Sequence, residues 1–143
     1  AKLYVTDTGL GAASIQLDGR RLAASAVGGS FLETFVVNEI TKQVAVIDEP
    51  LALAHFRDRS GVEVDMIIER SDGTVIAVEV KSATSAGSSD AGGLRFLRDR
   101  LGPRFTVGVV LHTGPVTARI GDRIWSVPVS GLWGGARLDH QTD

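Results

Sequence analysis

The chain has 143 residues, 43% of them hydrophobic and 22% charged. That is enough apolar material for one domain core and a composition unlike that of a disordered chain. A net charge of -2 excludes nucleic-acid binding through bulk positive charge, and the absence of cysteine removes disulfide scaffolds, thiolate metal sites and cysteine nucleophiles together. No apolar run approaches the ~20 residues of a membrane span. No basic stretch leads into a long apolar one as in a signal peptide. The cysteine-free composition fits a reducing, cytoplasmic setting.

Residues 1–28 read as a lead-in. Leu3 to Thr6 suits a short strand, and Asp7-Thr8-Gly9 a turn. Gly9-Leu10-Gly11 imitates a dinucleotide-binding fingerprint, but Ser14 stands where the third glycine belongs, so it too reads as a turn. Ser30 followed by Glu33 forms a capping-box pattern, which predicts a helix from Phe31 to about Lys42. Leu51–Arg57, Val62–Glu69 and Thr74–Lys81 read as strands, separated by the turns Asp58-Arg59-Ser60-Gly61 and Ser71-Asp72-Gly73. A Ser, Ala and Gly-rich loop runs from Ser82 to about Ser89. Ser89 or Asp90 then caps a second helix carrying Leu94, Leu97 and Leu101, which Gly102-Pro103 stops. Phe105–His112 is a continuous apolar run suited to a buried strand. Strand, helix, strand with a connection of this length predicts a parallel crossover. A hairpin about Gly121-Asp122 follows, and residues 134–143 read as a loose tail. The order α-β-β-β-α-β plus hairpin predicts an α/β (α+β) domain with a mixed central sheet, over residues 29–133.

The chemistry concentrates in the middle strands. A three-residue turn at Ser71-Asp72-Gly73, with glycine left-handed, sets Arg70 opposite Thr74, Met66 opposite Val78 and Val64 opposite Val80. Strict alternation then places Asp65 opposite Glu79 and Glu63 opposite Lys81 on the other face. Two carboxylates side by side repel each other. Either the Lys81 ammonium or a divalent cation must offset that. Mg²⁺ takes carboxylate oxygens, lowers the pKa of a bound water and polarises a phosphoryl oxygen. On the first helix Glu33 is flanked by Val36, Val37 and Ile40, so it points towards the sheet.

A helical Glu33, then Asp65, a hairpin and Glu79-Val80-Lys81 resemble the core of the PD-(D/E)XK nuclease superfamily, whose fold is the restriction-endonuclease-like one. Gly29 to Val36, Phe56-Arg57-Asp58, Glu63-Val64-Asp65, Lys2 to Leu10 and Val127 to Trp133 are similar to one group in particular. This is the uncharacterised domain that follows the ATPase module in prokaryotic AAA-type ATP-binding proteins. The resemblance implies that Asp65 and Glu79 hold Mg²⁺ or Mn²⁺, that the Val80 carbonyl completes the coordination, that Lys81 is the catalytic lysine and that Glu33 is the supporting acid. It implies a phosphodiesterase acting on DNA or RNA, and an ATPase module as partner in cis or trans. Val64 occupies the place of the superfamily's proline, which is not a ligand. The chain has no Gly-Lys dipeptide and so no phosphate-binding P-loop of its own.

Other readings compete. Asp65, Glu79 and Lys81 on neighbouring strands also suit a surface ion pair, and then the domain is a non-catalytic binding or regulatory module of an ATPase. His55, His112 and His140 are scattered and suit structural or surface roles, with His55 on the strand face of Arg57. Arg95, Arg98, Arg100 and Arg104 suit a solvated helix surface or phosphate contacts. Trp125 and Trp133 suit packing.

Overall fold

The structure is a computed structural model, and it describes residues 6–14, 20 and 27–134. The strand expected at residues 3–6 and the tail from 135 therefore lie outside the described residues, apart from Thr6. A short helix α1 (Thr8–Ser14) precedes α2 (Gly28–Val44). Then follow β1 (Leu51–Arg57), β2 (Glu63–Arg70), β3 (Val75–Val80), α3 (Gly92–Leu101), β4 (Phe105–His112), β5 (Ala118–Gly121) and β6 (Ile124–Pro128).

Six strands form one mixed sheet in the order β1-β2-β3-β4-β6-β5. β1, β2 and β3 are antiparallel neighbours. β3 and β4 are parallel, as the intervening helix requires, and β4 is also parallel to β6. The hairpin β5–β6 turns at Asp122-Arg123, where Arg123 takes a φ of 54°. The mixed α+β architecture expected from the element order is the one observed. That β6 rather than β5 lies against β4 was not legible in it.

The two helices cover opposite faces. Under α3, Leu94 and Leu97 meet Val64, Ala77, Phe105, Val110 and Ile124. Under α2, Val36 and Ile40 meet Met66, Val78 and Leu111. Gly93 lets α3 sit close, because a Cβ there would lie 2.3 Å from the Glu63 carbonyl oxygen.

Two local expectations change. Asp7-Thr8-Gly9 is not a free turn. Asp7 caps α1, its Oδ1 accepting from Leu10 N at 2.9 Å, so the turn signal is a helix start. Helix α2 begins two residues ahead of Ser30, with Val27 at the N-cap and no side-chain cap bond. The helix runs back through Gly28 and Gly29, so Ser30 lies inside the first turn and the capping box with Glu33 is not made. Instead the Ser30 carbonyl accepts from Thr34 Oγ1 at 2.8 Å.

Candidate active site

The β2–β3 hairpin has the expected register. Gly73 has a φ of 78°, Arg70 N donates to Thr74 O at 2.9 Å, and Met66 lies opposite Val78. The ladder stops there, and the reason lies on the far side of β2. Against β1, Ile67 pairs with Ala54 and Val64 with Phe56, so Asp65 and Met66 together oppose His55. The extra residue is a β-bulge.

The bulge rearranges the site. Val64 and Met66, expected on one face, lie on opposite faces, Val64 under α3 and Met66 under α2. The backbone also turns over. Arg70 N bonds to β3, so alternation gives the even-numbered β2 residues to β3. Beyond the bulge Asp58 N donates to Val62 O at 2.9 Å, and the same alternation now gives Val64 to β1. Val80 N loses its β2 carbonyl, and Oδ2 of Asp65 accepts its hydrogen instead, at 2.9 Å. Asp65 and Glu79 are therefore not the ladder pair that strict alternation predicts. Asp65 is 8% exposed. With Val37, Thr41, Leu53, His55 and Met66 it lines a shallow cavity of about 220 Å³ on the α2 side. Glu79 has the parity of Ala77 and pairs with Val110, both of which pack under α3.

The groups meet around the open end of β3 rather than on one face. Lys81 Nζ lies 2.8 Å from Glu79 Oε1. Burial alone would pull the Lys81 ammonium down. The hydrogen bond and charge of Glu79, reinforced by the charges of Asp65 and Asp90, outweigh that and hold it above the usual lysine range. Lys81 is thus a cation at neutral pH, with Glu79, Asp65 and Asp90 acting on it. Asp90 was read only as a helix cap. It does not cap α3, whose N-cap is Ala91 with no side-chain bond; its Oδ2 accepts from Gly87 N at 2.9 Å and closes the 3-10 turn Ser88–Ala91 ahead of the helix. Its closeness to Lys81 had no signal in the sequence, because the loop from Ser82 had to fold back first. That loop is tied to β4 by Thr113, whose N donates to Ala83 O at 3.0 Å.

Glu33 is half-buried on α2. It stands one turn after Gly29, on the same helix face. A Cβ on Gly29 would lie 3.8 Å from Ser82 Oγ, next in chain to Lys81. The α2 N-terminus thus sits beside the end of β3. Among the described residues no three His, Asp or Glu side chains are gathered in ligand geometry.

The remaining polar residues sort themselves. His112 is fully buried, its Nδ1 accepting from Gly114 N at 3.1 Å and its Nε2 donating to Val116 O at 3.0 Å. It braces the turn that packs on Thr84. His55 is exposed, and His140 lies outside the described residues. The four arginines, expected as solvated helix surface or phosphate contacts, have partners within the chain. Arg95 binds Ser88 O, Arg98 binds Asp99, Arg104 binds Glu69 and Gly73 O, and Arg100 stacks over Phe96. Trp133 is 54% exposed and stacks on Phe35.

Residues 28–132 match the family model described as a domain of unknown function, DUF4143. The chain belongs to that family. Domains of this kind are often found with AAA ATPases. No curated protein and no solved structure matches the chain. Among the described residues no helix is long and apolar enough to cross a membrane.

Proposed function

We propose that this DUF4143 domain is a metal-dependent, nuclease-like domain of the PD-(D/E)XK kind, acting on phosphodiester bonds of DNA or RNA alongside an AAA-type ATPase module. One observation carries the reading: at the end of β3 the Lys81 ammonium lies 2.8 Å from Glu79 Oε1, and the residue between them, Val80, donates its N–H to Asp65 Oδ2 at 2.9 Å. A divalent ion held here would draw on oxygens, the carboxylates of Asp65 and Glu79 and, as the resemblance implies, the Val80 carbonyl, which is the ligand chemistry of Mg²⁺ or Mn²⁺. Such an ion, when bound, supplies an activated water and polarises a phosphoryl oxygen. Asp65 is already held in place by Val80 N. Lys81, kept protonated, serves as a fixed positive charge that orients an attacking water and offsets charge developing on phosphate. It does not serve as a base. Glu33, beside the same strand end, is the supporting acid.

Calorimetric titration with Mn²⁺, paired with cleavage assays on several DNA and RNA forms, tests this. Saturable binding is expected, lost in Asp65→Asn and in Glu79→Gln. Lys81→Met removes the competing cation, so it is expected to tighten Mn²⁺ binding while abolishing cleavage. No binding at millimolar Mn²⁺ would sink the reading. A second reading, a non-catalytic regulatory domain of the ATPase, is favoured by one fact. Glu79 and Asp65 already have partners in Lys81 and Val80 N, so the acids are compensated without a metal.

A further inference from the structure

The bulge in β2 sets a side chain with no task so far beside Asp65. Asp65 and Met66 together oppose His55 of β1, so two residues share the one partner. Leu53 and Met66 pack under α2. His55 stands two residues after Leu53, so alternation puts it on that same face, whereas Phe56 turns towards α3. His55 and Asp65 line one cleft of about 220 Å³. His55 is exposed, and among the described residues it makes no hydrogen bond or ion pair.

The size and chemistry of the cleft limit what it takes. Its volume equals that of about seven liquid waters and falls below the ~300–1,000 Å³ that holds a whole small molecule. It suits one group of a longer ligand. Four of the seven lining side chains are apolar. Thr41 gives its hydroxyl hydrogen to Val37 O at 2.7 Å. Asp65 is an acceptor, its Oδ2 held by Val80 N. Among the lining side chains only His55 therefore has an N–H to offer, and an imidazole keeps at least one whether neutral or charged. A phosphate here is repelled by the Asp65 carboxylate unless a cation lies between them. Once a cation does, the outer phosphate oxygens need a donor, and His55 is the one in place.

We propose, resting on the metal-dependent reading above, that His55 is a substrate-binding residue: with a divalent ion held on Asp65, its ring N–H donates to a non-bridging oxygen of the phosphodiester in this cleft. Three measurements test this and separate it from the reading beneath it. Calorimetry of His55→Ala with Mn²⁺ is expected to match the parent, because the ring is not a metal ligand. Its kcat/KM for DNA or RNA cleavage is expected to fall about tenfold to a hundredfold, as for one lost hydrogen bond to a charged group. His55→Gln, which keeps an N–H donor, recovers part of that loss. In the parent, with no variant needed, dimethyl phosphate is expected to shift the His55 ring resonances in the presence of Mg²⁺ and not in its absence. Loss of Mn²⁺ binding in His55→Ala makes the ring a metal ligand and overturns the proposal. Cleavage at the parent's rate in His55→Ala overturns it as well, as does a His55 ring unmoved by about 0.1 M dimethyl phosphate with Mg²⁺; both of these leave the metal site standing. A parent that binds no Mn²⁺ ends the metal-dependent reading and the role of His55 together.

Discussion

Asp65 has a structural task that can be separated from any chemistry. Its Oδ2 accepts the Val80 N–H at 2.9 Å where the bulge has withdrawn the ladder carbonyl. Asp65→Ala leaves that half-buried donor without its acceptor. A hydrogen bond to a charged acceptor contributes about 1.5–3 kcal/mol, and stranding the donor removes it in full. At about 3–5 °C per kcal/mol for a domain of this size, the midpoint of thermal unfolding falls by about 5–15 °C. Asp65→Asn keeps an oxygen in the same place and lacks only the charge, so the loss shrinks to about 1 kcal/mol. Both variants lose Mn²⁺ binding under the proposed function, whereas only the alanine variant loses much stability. Urea unfolding followed by circular dichroism measures the difference. If alanine lies within about 0.5 kcal/mol of the parent, or asparagine is as damaging as alanine, the bulge-and-cap account of Asp65 is wrong.

Three further outcomes are expected. Gly93→Ala places a methyl 2.3 Å from the Glu63 carbonyl and 2.9 Å from Val64 Cγ2; helix α3 must lift from the sheet, at about 1–3 kcal/mol or more by urea titration. His112→Leu fills similar volume but strands Gly114 N and Val116 O, and the expected loss is about 2–4 kcal/mol, with faster amide exchange at Gly114. The Lys81 ammonium is held above its ordinary range in the fold, so its contribution is complete below that range and is lost as pH rises through the elevated value. Stability of the parent should therefore decline at strongly alkaline pH by more than that of Lys81→Met, and equal alkaline profiles would refute the ion pair with Glu79.

The hairpin register was legible because two local rules agree on it. A three-residue turn with a left-handed Gly73 and the apolar match of Met66 to Val78 permit one alignment only. Leu51–Arg57 and Phe105–His112 were legible to the residue, being apolar runs bounded by turn chemistry at both ends. The antagonistic case is α2. Its capping box is a valid local signal, yet the helix starts earlier, where Gly29 sits against the Ser82 segment. Asp7-Thr8-Gly9 failed for another reason: Asp and Gly begin helices as readily as they make turns.

For the site, pattern along the chain alone shows which acids belong to β2, β3 and α2, and that Lys81 follows two residues after Glu79, although β3 itself ends at Val80. Tertiary structure alone decided how they meet. The bulge at Asp65 exists only in relation to β1, a neighbour no window of β2 can reveal, and it changes the parity of every residue before it. The charge of Asp90 acts on Lys81 across the Ser82 loop, which is bonded back to β4. Alternation is a property of one strand and can be read along the chain. Convergence is a property of several strands held together by packing, and its geometry is set by contacts between residues far apart in the chain.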